Sequence, residues 1–137
     1  MNLADLRLSG NDELLNDIVE KLNLTVASRV KAGEPRRGGR IHETSGLSIS
    51  IADAANPVAM LNAIREFLAT CQSIGPNVFG GGVQAELAIG MTVGDSIQFI
   101  ASVDFSSSEL RELGMLGIAL SITAYPTSDE VNDPQNK

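Results

Sequence analysis

The stretch that is most informative about the fold is Leu47–Cys71, with the sequence LSISIADAANPVAMLNAIREFLATC. Its first part alternates apolar and small polar residues, a two-residue period that predicts a half-buried β-strand. Asn56-Pro57 follows. Asparagine caps helices, and proline suits the first helical position, where no amide hydrogen is needed. Apolar residues then recur at spacings of three and four, so the sequence predicts a helix over residues 57–73 that Gly75 helps to end.

The chain before this stretch also predicts a strand followed by a helix. Leucines in the short run 3–8 predict a first strand. Over residues 11–23, apolar residues recur at helical spacing. Asn11 or Ser9 can cap this helix, and two acids follow that suit the positive end of the helix dipole. Residues 24–31 favour a short strand, and the glycines and the proline that come next exclude regular structure.

Two more strands are predicted after the long helix. The runs 83–91 and 97–105 both alternate apolar with other residues. Gly94-Asp95 between them is typical of a hairpin turn. The sequence therefore predicts an antiparallel pair of strands in this region.

A short helix and a final strand close the predicted domain. Ser106 stands three residues before Glu109, which is the pattern of a capping box, and the leucines behind it predict a helix. Residues 118–124 alternate again and predict the last strand. The polar, acidic residues 127–137 predict a disordered tail behind a single domain over residues 1–126.

These elements predict an α+β fold, with a mainly antiparallel sheet and helices packed on one face. Their order is β-α-β-β-α-β-β-α-β, which is of ferredoxin-like type. A sheet covered on both faces would have continuously apolar strands, whereas the strands here alternate. The length of 137 residues suits one domain with its own core.

Composition limits the classes of function. The net charge of −7 argues against general binding to nucleic acid or to anionic membranes. One cysteine cannot form an intramolecular disulfide, and the N-terminus lacks the pattern of a signal peptide. No apolar run reaches the length of about 18 residues that a membrane span needs. We therefore expect a cytoplasmic protein without membrane association.

One stretch has the opposite charge to the rest of the chain. Arg29–Arg40, RVKAGEPRRGGR, holds five basic residues and one acid, so its net charge is 5 − 1 = +4. The planar guanidinium group of arginine can donate two parallel hydrogen bonds to a phosphate or carboxylate group. The candidate ligand-binding residues are therefore Arg36, Arg37, Arg40 and the nearby His42. A solvated loop, or one docked on the chain's own acids, is the alternative interpretation.

Catalytic and metal chemistry finds little support. His42 is the single histidine, and the spacing does not support a zinc site that combines it with Cys71 and a carboxylate. Cys71 lies on the apolar stripe of its predicted helix, which predicts a buried, unreactive thiol. Asp53 and Asp104 stand at strand ends before helix starts, where capping or simple solvation explains them. We predict no catalytic residue, no metal and no cofactor.

Several segments together resemble a bacterial family, domain of unknown function 4279. The resemblance covers residues 6–125 and implies a small α+β domain of bacterial origin, with no catalytic residue to carry over. The matching segments are LRLSGNDELLNDIVEKLNL, GEPRRGGR, GLSISI, the helix over residues 56–71 and SSELRELGMLGIALSITAYP.

From these observations we expect a non-enzymatic module that binds another protein. A toxin-neutralising or immunity role is one form of this expectation, in which the acidic domain complements a basic target. The alternative is a small enzyme, or a binder of phosphoryl or other anionic ligands, that uses the basic loop Arg29–Arg40. Nucleic acid is not the expected partner, because the loop has no aromatic residues on which bases could stack. Homo-oligomerisation is left open.

Overall fold

The computed structural model describes residues 1–94 and 100–126. Within these residues the chain forms five strands and three helices, besides a single 3-10 turn in the loop between the second and third strands. In chain order they are β1 (Asn2–Gly10), α1 (Asp12–Leu22), β2 (Val26–Val30), β3 (Ser45–Ala54), α2 (Pro57–Ile74), β4 (Gln84–Val93), α3 (Ser107–Leu116) and β5 (Ile118–Pro126).

All three predicted helix starts are confirmed by capping contacts. The side chain of Asn11 accepts a hydrogen bond from the Glu13 amide, 2.8 Å away, at the start of α1. Asn56 caps α2, and Ser106 and Glu109 form both hydrogen bonds of a capping box in α3. None of the helices in the described residues is long and apolar enough to cross a bilayer.

The strand order is β2-β3-β1-β4-β5. The pairs β2–β3, β3–β1 and β1–β4 are antiparallel, whereas β4 and β5 are parallel. Parallel neighbours need a crossover connection, and α3 lies in the connection between these two strands. The first four strands have the order and directions of a ferredoxin-like sheet, and β5 extends it. The predicted fold class is confirmed.

The core lies between the helices and one face of the sheet. Alternate residues of the three central strands point into it, and Leu6, Ile49 and Leu87 are completely buried. From α2, Ile64 and Leu68 pack against them. The other face of the sheet has no helix of the described residues on it and exposes small and polar side chains in part. The sheet therefore has one covered face and one open face.

The strand predicted over residues 97–105 is wrong where the structure describes it. Residues 100–106 form no strand, and β4 pairs with β1 and β5 instead. Ala101, Val103 and Phe105 are nevertheless half-buried against the core. The alternation in the sequence therefore reflects the partial burial of every second side chain, although the backbone does not pair as a strand.

Two further predictions fall on residues that the structure does not describe. The hairpin turn predicted at Gly94-Asp95 lies partly outside the described residues. The predicted disordered tail over residues 127–137 lies wholly outside them.

Candidate functional site

The basic loop forms an arm between β2 and β3. We call residues 31–44 the arm. Inside it, the Gly33 amide donates to the His42 carbonyl at 2.8 Å, and the His42 amide donates to the Glu34 carbonyl at 2.9 Å. At its base the Ala32 amide donates to the hydroxyl of Ser45, 3.0 Å away, and this serine is buried. The arm is thus a hydrogen-bonded extension of the β2–β3 hairpin.

The end of the arm brings three arginines together. The Arg36 amide donates to the Arg40 carbonyl at 2.9 Å, which closes a turn that contains Arg37. Gly38 and Gly39 have φ values of 82° and 74°, in the left-handed region that favours glycine. We call residues 35–40, PRRGGR, the arginine tip. It carries a formal charge of +3 on six residues.

The guanidinium groups of the arginine tip have no partner within the described part of the chain. Arg36, Arg37 and Arg40 are exposed, and none of them forms an ion pair or a side-chain hydrogen bond with a described residue. His42, the fourth predicted ligand residue, lies nearer the base of the arm and is half-buried. The structure therefore groups the three arginines at one turn and sets the histidine apart from them.

Arg29 does not belong to the arm, although the sequence grouped it with the other basic residues. It lies in β2, and its guanidinium donates to the side-chain oxygen of Asn16 in α1. Arg7 and Arg65 also have side-chain partners, the acids Glu86 and Glu109. The arginine tip differs from these three arginines because it has no side-chain partner among the described residues.

The N-terminal half of α1 lies beside β2 and the base of the arm, because Asn16 contacts Arg29. Glu13, Asp17 and Glu20 are exposed on α1 at spacings of four and three, so they form one stripe on its surface. We call these three residues the acidic stripe. Asn16 is three residues from Glu13 and four from Glu20, so it adjoins the stripe. The acidic stripe therefore lies on the helix that contacts β2, the strand that leads into the arm.

A groove of about 510 Å³ lies at the end of the sheet from which the arm extends. The pairings Gly10–Ser45 and Ser9–Gln84 place the base of the arm and the start of β4 at this end. Arg7 and Glu86, whose side chains are 3.7 Å apart, line the groove, but no arm residue does. The groove and the arginine tip are therefore separate features.

The remaining sequence candidates have structural explanations. Cys71 is completely buried, and burial raises the pKa of its thiol to about 11, so the nucleophilic thiolate is disfavoured. Asp53 and Asp104 are both exposed, one near the end of β3 and the other in the connection before α3. No group of three His, Cys, Asp or Glu residues suited to a metal ion occurs in residues 1–94 and 100–126.

The pair Arg65–Glu109 was not found from the sequence. Arg65 in α2 donates to Glu109 in the first turn of α3 over 2.6 Å. This hydrogen bond, together with one from the Ser106 amide, lowers the pKa of the Glu109 carboxyl to about 2. The capping box identified Glu109 as a helix-start residue, but no local signal connects it to an arginine 44 positions earlier. The pair serves to join two helices.

No family model, curated protein or solved structure matches this chain. The resemblance to domain of unknown function 4279 therefore stays a prediction.

Proposed function

We propose that this chain is a non-enzymatic protein-binding domain that uses the surface formed by the arginine tip and the acidic stripe. The observation that carries the proposal is the separation of unpaired charge on this surface. Three guanidinium groups project at the arginine tip, and three carboxylates line α1 beside the base of the arm. None of the six forms an ion pair within the described residues.

Such a surface favours a partner that presents acidic groups to the arginine tip and basic groups to the acidic stripe. Complementary charges steer association and determine the orientation of a complex more than they add affinity. The hydrogen bonds of the arm reduce the freedom that the arginine tip would lose on binding, which lowers the entropic cost of the complex. A mixed surface of this kind is selective, because a partner of one charge alone meets repulsion at half of it.

The toxin-neutralising role is the more specific form of this proposal. In it, the acidic stripe faces basic residues of the target, and the arginine tip holds an acidic patch beside them. A cytoplasmic place of action belongs to the same proposal, and its support is that Cys71 is a free, buried thiol in a chain without any second cysteine.

The test uses the products of the neighbouring genes, since the family resemblance implies a bacterial source. Each product is co-expressed with this chain, and complexes are measured by size-exclusion chromatography and calorimetry. We expect a complex whose affinity falls by about tenfold, or about 1.4 kcal/mol, in the triple variant Arg36→Gln, Arg37→Gln, Arg40→Gln. The triple variant Glu13→Gln, Asp17→Gln, Glu20→Gln should weaken it similarly.

A matched control changes exposed charge elsewhere. The double variant Arg7→Gln, Arg111→Gln removes two exposed arginines outside the proposed surface and should leave the affinity within about twofold. A complex unaffected by both triple variants would overturn the proposed surface. Relief of growth inhibition caused by the partner would support the toxin-neutralising form.

A second candidate function is the binding of a phosphoryl or other anionic ligand at the arginine tip. The specific observation that favours it is the hydrogen bond from the Arg36 amide to the Arg40 carbonyl. This bond holds two arginine backbones next to each other, so their planar guanidinium groups can reach one oxyanion. The response to phosphate described in the Discussion tests this candidate without a protein partner.

A further inference from the structure

Within residues 1–94 and 100–126, the edge strand β5 lacks the usual protection against pairing with another strand. It runs over nine residues, Ile118–Pro126, and pairs with β4 along its whole length. On its other side it has no strand partner among the described residues. Its sequence, IALSITAYP, holds no charged residue, and its proline is the last residue. Long, uncharged edges of this kind invite pairing with another chain.

The opposite edge of the same sheet is protected. β2 is five residues long, has a register shift between Val26 and Ser28, and carries Arg29. Short length, irregular register and charge are the devices by which proteins prevent pairing at an edge. The contrast within one sheet indicates that β5 is an edge that another strand covers.

On the covered face of the sheet, the side chains of β5 are more exposed to solvent than those of the neighbouring strand β4. Leu120 pairs with Leu87, and Ile122 pairs with Ile89, so each pair points to the same face. Leu87 and Ile89 are 0% and 2% exposed, whereas Leu120 and Ile122 are 37% and 49% exposed. The layer of helices therefore does not cover β5 as it covers β4.

Helix α3 adds one more exposed apolar side chain at this edge. Glu112 lines a cavity with Gln72 of α2, so it marks the side of α3 that faces α2. Leu110 is about 160° around the helix from Glu112, which turns it away from α2. It is 48% exposed. We call Leu110, Leu120 and Ile122 the β5 ledge.

We propose that a second copy of this chain covers the β5 edge, through antiparallel pairing of the two β5 strands about a twofold axis. The two sheets of five strands then form one sheet of ten. This pairing supplies main-chain hydrogen bonds to the free edge and brings the two β5 ledges together.

The sequence of β5 is complementary to itself in this arrangement. The register that pairs all nine residues places Ile122 opposite Ile122 of the second copy. On the covered face Leu120 then lies opposite Ala124, and on the open face Ser121 lies opposite Thr123. Apolar residues therefore meet on the covered face, and the hydroxyl groups of Ser121 and Thr123 meet on the open face.

Charge does not oppose a second copy at the β5 edge. Each chain carries −7, so two copies repel each other at most surfaces. The β5 strand contributes no charge to the seam, so this repulsion is not concentrated there. The proposed dimer leaves both β2 edges at the two ends of the sheet, so each arginine tip and acidic stripe stays free for a partner.

Light scattering coupled to size-exclusion chromatography tests the proposal. The chain should elute with twice its mass of 14.4 kDa. Ile122→Lys places two like charges opposite each other at the twofold axis and should give the monomer mass. Ser28→Lys introduces the same charge at the exposed β2 edge and should remain a dimer. A monomeric wild-type chain, or a dimer that persists in Ile122→Lys, would overturn the proposal.

A cross-linking experiment locates the contact. Opposed residues of an antiparallel pair have Cα atoms about 4.5–5.5 Å apart, within the range of a disulfide. Ile122→Cys should therefore form a covalent dimer on mild oxidation, while Ser28→Cys should not. Native Cys71 is buried, so it does not compete. Equal cross-linking of both variants would reject the β5 contact. An Ile122→Cys variant that stays monomeric and does not cross-link, because another part of its own chain covers β5, would reject it as well.

Discussion

The guanidinium of Arg65 lies 2.6 Å from the carboxylate of Glu109 and joins the middle of α2 to the first turn of α3. Glu109 also accepts from the Ser106 amide at 2.8 Å, so one carboxylate both closes the capping box and holds the two helices together. Because α3 leads directly into β5, this pair helps to position the edge strand proposed above as the dimer contact.

The first prediction concerns pH and this ion pair. The pKa of Glu109 falls from an ordinary value of 4.5 to about 2 in the folded chain. A lowered pKa in the folded state means that the ionised carboxylate stabilises the fold above about pH 4.5, and that this stabilisation is lost as the pH falls toward 2. Glu109→Gln should therefore destabilise the chain at neutral pH and have less effect as the pH falls through that range.

Urea unfolding of the wild-type chain and of Glu109→Gln at several pH values measures this difference. Glu112→Gln serves as the control, because Glu112 lies on the same helix and forms no ion pair with a described residue. A difference between wild type and Glu109→Gln that stays constant from neutral to acid pH would show that the ion pair does not stabilise the fold.

The second prediction concerns the buried stripe of α2. Leu61, Ile64 and Leu68 recur at helical spacing on α2, and they are 8%, 0% and 1% exposed. Ile64→Ala should cost about 2–5 kcal/mol, because it leaves a cavity against the sheet. Val58→Ala on the same helix should cost less than about 0.5 kcal/mol, since Val58 is 69% exposed. Equal costs in urea unfolding would mean that α2 does not pack through this face.

The third prediction concerns anions at the arginine tip. Binding of phosphate would relieve the repulsion among Arg36, Arg37 and Arg40, so phosphate should raise the melting temperature more than chloride at equal ionic strength. Phosphate also stabilises proteins generally through exclusion from their surface. The triple Arg→Gln variant separates these effects, because only the specific part should disappear in it. An equal gain in both proteins would reject the anion site.

The fourth prediction concerns the turn that groups these arginines. Gly38 has a φ of 82°, which a residue with a side chain adopts at a cost. Gly38→Ala should therefore weaken the specific phosphate effect by disturbing the turn, while it changes the stability of the domain little, because the arm is exposed. Gly81→Ala is the matched control, since Gly81 lies outside the left-handed region and has open space around it. Retention of the full phosphate effect in Gly38→Ala would show that the turn does not position the arginines.

Local patterns were sufficient to predict the helices. Asn11, Asn56 and Ser106 all cap the helices that the sequence placed behind them. Capping and helical periodicity involve residues a few positions apart, so a single sequence contains the information. The β-strand pattern is weaker. Residues 100–105 alternate as a strand does, yet they pack on the core without backbone pairing.

The sequence predicted which residues belong to the candidate site, but it did not predict how the fold arranges them. The sequence identified Arg36, Arg37 and Arg40 but could not show that one backbone hydrogen bond closes the turn between them. It also grouped Arg29 with them, whereas Arg29 pairs with β3 in β2 and its guanidinium contacts Asn16, 13 positions away. Loop conformation depends on such contacts, which composition does not encode.

Which segments are helical, which side chains are apolar enough to be buried, and where unbalanced positive charge lies can all be predicted from the amino-acid sequence, because these properties are local. The parallel pairing of β4 and β5, which makes β5 an uncharged edge of the sheet, is seen only in the folded chain. An alternating apolar segment such as residues 118–124 has the same sequence pattern whether its strand lies at the centre of a sheet or at its edge. Its position depends on which distant segments supply backbone hydrogen bonds, and that choice is made by the packing of the whole domain.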